Sequence, residues 1–155
     1  MELTIRPDGV LQIDDARITY RNFSGEGSPF NKEGDRNFAL IIPTQEMADM
    51  LIEEGWNVKI KAPRDGYEDP FMYLGVKVKF NSFGPNVYLK SGNSVNKLDE
   101  ESVRTLDRAR LMNINMDIRP YDYEIPGRKG RSAYLQSFEA EQRIEDRFAA
   151  KYDEY

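Results

Sequence analysis

The side chains in this chain that can do chemistry are carboxylates, ammonium and guanidinium groups, and phenols. Its 155 residues include 27 Asp plus Glu, 22 Lys plus Arg, 9 Tyr and 8 Phe, and neither histidine nor cysteine. Those two absences remove disulfides, zinc sites of the usual nitrogen and sulfur type, thiol nucleophiles and the Ser-His-Asp triad. Oxygen-ligated Mg²⁺ or Ca²⁺, carboxylate or lysine acid–base work, and pure binding remain. The acids do not converge on a metal signature. Asp14-Asp15 and Glu68-Asp69 are adjacent pairs, whose side chains point apart in a strand or turn, and no Asp…Glu-x-Lys nuclease arrangement occurs. The sequence thus assigns no catalytic residue, no metal ligand and no cofactor; a metal-dependent nuclease is kept as an alternative.

The other available chemistry is recognition of a polyanion. A row of Lys and Arg tracks phosphates, and exposed Phe or Tyr rings stack on unpaired bases. The formal net charge of −5 opposes such a partner if it is evenly spread. It is not. Between Gly55 and Lys97 seven basic residues stand against three acidic ones, whereas the first fifteen residues carry a net −3, and the stretch 45–54 adds Glu46, Asp49, Glu53 and Glu54.

The elements that must position these residues are mostly strands, because period-two alternation bounded by Gly, Pro, Asn or Asp dominates. Strands are expected at Arg17–Phe23, Asn37–Ile42, Asn57–Ala62, Phe71–Phe80 and Asn86–Lys90, and a terminal hairpin joins Asn113–Ile125 to Ser132–Gln142 across residues 126–130. Thr44 caps a helix over Gln45–Glu54 that Gly55 closes, and Asp99 caps a second over Glu100–Arg110. Roughly seven strands, two short helices and no βαβ alternation make an all-β or β-rich barrel or sandwich, and a five-stranded Greek-key barrel with an inserted helix is the nearest architecture. One domain over 1–142 and an acidic tail over 143–155 are expected. No apolar run approaches the roughly 20 residues of a membrane span, and Met1-Glu2-Leu3-Thr4 has no signal pattern. A cytoplasmic location away from membranes is therefore expected.

Side chains alternate across a strand, so each strand divides into two faces. Met72, Leu74, Val76, Val78 and Phe80 form a core face, which leaves Phe71, Tyr73, Gly75, Lys77 and Lys79 opposite. Trp56, Val58, Ile60 and Ala62 go inward, leaving Asn57, Lys59 and Lys61; Val87 and Leu89 go inward, leaving Tyr88 and Lys90. Ile18 and Tyr20 go inward, leaving Arg17, Thr19, Arg21 and Phe23. Four strands therefore place bases with aromatics on their outer side. Arg17, Arg21, Lys59, Lys61, Lys77, Lys79 and Lys90 are read as phosphate contacts, Phe23, Tyr73 and Tyr88 as stacking platforms, and Arg36, beside the loop 24–35, as a further phosphate contact. The loop 64–70, with Tyr67, is a second segment able to close over a ligand. The same lysines would also arise simply to keep strand edges from aggregating, so a β-rich protein-interaction module is the third reading.

The words Asn22-Phe23-Ser24-Gly25, Asn31-Lys32-Glu33-Gly34-Asp35-Arg36-Asn37-Phe38, Gly55-Trp56-Asn57-Val58-Lys59, Leu98-Asp99-Glu100-Glu101 and Asp117-Ile118-Arg119-Pro120-Tyr121 resemble, in this order, a family of small bacteriophage single-stranded-DNA-binding proteins. The resemblance spans about residues 15 to 140. It implies an OB-fold that coats transient single strands during phage DNA replication, recombination or repair in the host cytoplasm, without sequence specificity. The end Lys151-Tyr152-Asp153-Glu154-Tyr155 is similar to the acidic, aromatic tails of that class. That likeness implies docking of replication or recombination proteins through Asp153, Glu154 and Tyr155.

Overall fold

The computed structural model describes residues 1–63, 65–66, 68–82 and 84–143. Among them ten strands, one α-helix and one 3₁₀ helix occur, in the order β1 Glu2–Ile5, β2 Leu11–Ala16, β3 Ile18–Asn22, β4 Arg36–Ile41, α1 Gln45–Glu53, β5 Val58–Lys61, β6 Phe71–Val78, β7 Asn86–Ser91, β8 Ser94–Leu98, the 3₁₀ helix Ser102–Asp107, β9 Leu111–Ile125 and β10 Arg128–Gln142. Tyr67 and the tail residues Asp153, Glu154 and Tyr155 lie outside the described residues.

The alternation in β6 is realised as read: Met72, Leu74, Val76 and Val78 are buried and their neighbours are not. Around them a single core gathers Leu11, Phe23, Phe38, Leu40, Trp56, Ile118, Leu135 and Phe138 with residues from most other strands. The long strand β10 is the spine of this β-rich barrel. One of its edges pairs antiparallel with β9. The other edge runs parallel to β6 at Ala133 and Tyr134, then parallel to β7 from Ser137 to Glu141. The change of neighbour coincides with a one-residue bulge between Leu135 and Ser137, the device by which a strand bends to close a sheet. Beyond β6 the sheet continues through β4 to β3, while β5 takes the first half of the other β6 edge.

Both expected caps form. Thr44 Oγ1 accepts from Met47 N at 3.2 Å, and Gly55, at φ 96°, ends the helix in the left-handed region that favours glycine. The Asp99 carboxylate accepts from Ser102 N at 2.8 Å and Glu101 N at 3.0 Å, and the Ser102 contacts chiefly hold its carboxyl below the usual carboxylate range. Asp99 leads into a 3₁₀ helix rather than the expected α-helix. Val103 and Leu106 are its buried residues, and a spacing of three stacks them on one side of a three-residue turn.

Three inward assignments are corrected. Ile60 is 50% exposed and Ala62 is exposed too, because β5 is a short strand at the margin of the sheet that pairs with β6 alone among the described strands and ends at Lys61. In β3 the pairing with β4 steps from Thr19↔Ala39 to Asn22↔Asn37, so β3 carries one extra residue. Tyr20 absorbs it at φ 50°. The two-residue alternation breaks there: Tyr20 is 48% exposed and Phe23, expected outside, is 0% exposed, while Arg21 stays exposed. Phe23 stacks on Phe38 at 5.2 Å between centroids and meets Phe138 edge-on at 6.0 Å. Phe23→Ala is therefore expected to lower unfolding free energy by about 3–5 kcal/mol in urea titrations. An unchanged unfolding free energy would contradict this placement.

Candidate nucleic-acid interface

The outer faces of β4, β6, β9 and β10 enclose a groove of about 780 Å³. Its position is set by register. Tyr73, Gly75 and Lys77 alternate along one face of β6 and lie opposite Ile41, Ala39 and Asn37 of β4. On the other side β5 sets Lys59 against Tyr73 and Lys61 against Phe71, and β10 sets Tyr134 against Lys77. At the centre, a Cβ built on Gly75 would meet nothing within 4 Å. The missing side chain leaves an open floor.

Two clusters of rings and cations stand on either side of that floor. In the first, Tyr20 packs edge-on to Tyr73 at 5.6 Å and to Phe71 at 6.1 Å. Lys61 Nζ lies 5.2 Å from the Tyr20 centroid and 5.6 Å from that of Tyr73. In the second, Tyr134 receives Lys77 Nζ at 5.6 Å and the Arg119 guanidinium at 5.0 Å, and meets Tyr121 edge-on at 6.0 Å. Tyr73 and Lys77 are four residue steps apart along the strand, a span of roughly 13 Å. Each cluster offers π-faces held in place by neighbours and cations beside them, which suits stacked bases with phosphates alongside.

The groove walls are basic in balance: Arg36, Lys59, Lys77, Lys79 and Arg131 against Asp35 and Glu100. Arg36 pairs with Glu100 at 3.3 Å and its side chain is 17% exposed. Its Nε is buried and finds no hydrogen-bond partner among the described residues. Arg131 is more committed. It donates to Asp122 at 2.6 and 3.2 Å and to the Glu54 carbonyl at 2.6 Å, and it lies over Trp56 at 5.4 Å. The bond to Asp122 raises the Arg131 pKa and lowers that of Asp122. Trp56 is buried, as its parity implied.

The structure thus brings together Arg36, Lys59, Lys61, Tyr73, Lys77 and Lys79 of the residues singled out from sequence. It sets others apart. Tyr88 and Lys90 have the expected outward parity, but β7 joins β10 beyond the bulge. There Tyr88 lies opposite Lys97 and Glu139, and Lys90 opposite Val95 and Glu141; neither lines the groove. Arg21 turns away and donates to the carbonyls of Leu106 and Ala109 at 2.8 and 2.7 Å. Arg17 is exposed just ahead of β3, outside the groove, and Phe23 is in the core. Tyr20 and Tyr134 line the groove without having been singled out from sequence, the first because of the bulge. A parity reading of Ser132 to Gln142 finds the second, since Tyr134 alternates with Ala133 and Leu135, both buried. Among the described residues no three metal-ligating acids gather around one point, and no helix is long and apolar enough to cross a membrane.

A family model described as "Putative phage ssDNA-binding domain" matches residues 3–153. No curated protein matches the chain. Among solved structures it is similar to the single-stranded DNA-binding protein from bacteriophage Enc34, at TM-score 0.58 and 15% identity over 94% of this chain and 87% of that one. The C-terminally truncated form of that phage protein aligns at TM-score 0.55 and 15% identity, over 92% and 91% of the two chains. Its complex with ssDNA aligns at TM-score 0.57 and 16% identity, over 94% and 93%. At such identities the likeness shows a shared fold, the OB-like barrel.

Proposed function

The chain belongs to the phage single-stranded-DNA-binding domain family, and from that membership we propose that the groove across β4, β6 and β10 holds single-stranded DNA. The observation that carries this placement is the pair of ring-and-cation clusters on either side of the open Gly75 floor. Rings stack on any base and lysines meet any phosphate, so binding is independent of sequence. In this reading the protein binds and does no chemistry, covering transient single strands during phage DNA replication, recombination or repair in the host cytoplasm. Support also comes from the Enc34 protein, whose structure in complex with ssDNA shares this fold.

Titration with fluorescent oligothymidine at several salt concentrations tests the reading. The log of the binding constant should fall linearly with log salt, by about 0.7 for each phosphate neutralised. Absence of binding at low salt, or binding indifferent to salt, would overturn it. Incubation of labelled DNA with Mg²⁺ or Mn²⁺ should leave its length unchanged, and cleavage would restore the nuclease reading.

A further inference from the structure

The free edge of β3 faces the 3₁₀ helix, and between them lies a second groove of about 1120 Å³. Its wall carries Arg21, Arg104 and Arg108. The acids there are Glu26 and Asp107, and Asp107 is occupied, accepting from Phe23 N at 2.6 Å and Ser24 N at 3.0 Å. Arg104 and Arg108 are exposed; Arg104 Nε donates to the Glu101 carbonyl at 3.0 Å, which leaves its terminal nitrogens, with the Arg108 guanidinium, to meet a ligand. Tyr20 lines both this groove and the one beside Gly75. The bulge that turned this ring outward thus makes it the shared wall of two basic channels.

The loop 24–35 forms the ridge between them. Asn31 and Gly34 face the first groove, while Ser24 and Ser28 face the second. The ridge is held from within: Asn31 Nδ2 donates to the carbonyls of Glu26, Lys32 and Asp35 at 2.9, 3.2 and 3.1 Å. Its tip carries Phe30, whose ring is 99% exposed. Phe30 lines neither groove, but the ridge that separates them thus carries a free apolar ring on which a base can stack.

We infer that the nucleic-acid strand does not end at the first groove but crosses beside Tyr20 and Phe30 into the second, where Arg104 and Arg108 each meet a phosphate. This rests on the reading of the first groove given above. Site sizes of about 4–16 nucleotides per OB-fold set the probes: oligothymidines of about 6 and about 16 nucleotides. For the parent protein, the salt slope on the longer oligomer should exceed that on the shorter by about 1.4, two phosphates at 0.7 each. Arg104→Ala with Arg108→Ala should abolish that difference. At about 0.1 M salt it should weaken binding of the longer oligomer roughly 25-fold and leave the shorter unchanged. Both arginines are exposed, and an unchanged melting curve checks the fold. Equal slopes for the two lengths in the parent protein, or an equal loss on both lengths in the variant, would overturn the second groove while leaving the first in place. Failure of the parent to bind either length would instead remove the reading on which it rests.

Discussion

With Lys59, Lys77 and Lys79 replaced together by alanine, affinity for oligothymidine is expected to fall roughly 100-fold at about 0.1 M salt, and the salt slope by about 2. The magnitude comes from counterion release. Each phosphate neutralised on a single strand contributes about 0.7 to the slope, so each lysine lost costs about fivefold one decade below molar salt. All three side chains are exposed and line the groove, so the melting temperature should barely move. The matched control is Lys90→Ala with Lys97→Ala. Those lysines lie on β7 and β8, away from the groove, and their loss should change affinity by no more than about twofold. Equal losses per lysine removed in the two variants would mean that binding tracks net charge rather than the groove.

The second large effect is expected at a residue with no side chain. Gly75→Glu sends a carboxylate into the open space between Tyr73 and Lys77, where nothing lies within 4 Å of its Cβ. A negative charge within several ångströms of bound phosphate costs about 2 kcal/mol at the effective dielectric of a protein surface, roughly a 30-fold loss. The strand itself should tolerate the change, since glycine in a strand interior is less stable than a residue with a side chain by roughly 0.5–1 kcal/mol. Gly75→Ala should retain binding. Loss of binding in Gly75→Glu together with unfolding, or retained binding with a normal melting curve, would each contradict the floor as described.

Parts of this surface could be read directly from the chain, for reasons that differ by residue. Along β6 the apolar face of Met72, Leu74, Val76 and Val78 fixes the direction of Tyr73, Gly75 and Lys77, because an unbroken strand has one period. The same rule failed in β3. One bulge residue at Tyr20 moved that ring into the groove wall and Phe23 into the core, and a bulge leaves no clear mark in composition when it does not use glycine. Tyr88 and Lys90 illustrate a different limit: their parity was right, but which flank of the barrel β7 joins is decided by the bend in β10, a tertiary matter. The missed strands have local reasons too. β1 is four residues long, β2 contains a bulge at Asp15, whose φ is 55°, and β8 buries only Leu98, so none shows a sustained alternation. The acid-rich total charge pointed away from nucleic acid because it averages over faces, and only the partition by strand face gathers Lys59, Lys61, Lys77 and Lys79 on one side.

That the strand lies in the groove can be tested lysine by lysine within one sample. Limited acetylation of the protein with and without saturating oligothymidine, read by mass spectrometry, compares Lys59, Lys61, Lys77 and Lys79 with Lys90 and Lys97 as internal controls. The groove account predicts that DNA slows modification of the first four at least several-fold and leaves Lys90 and Lys97 unchanged. Protection of Lys90 and Lys97 with the other four still reactive would place the strand on the opposite flank and contradict it.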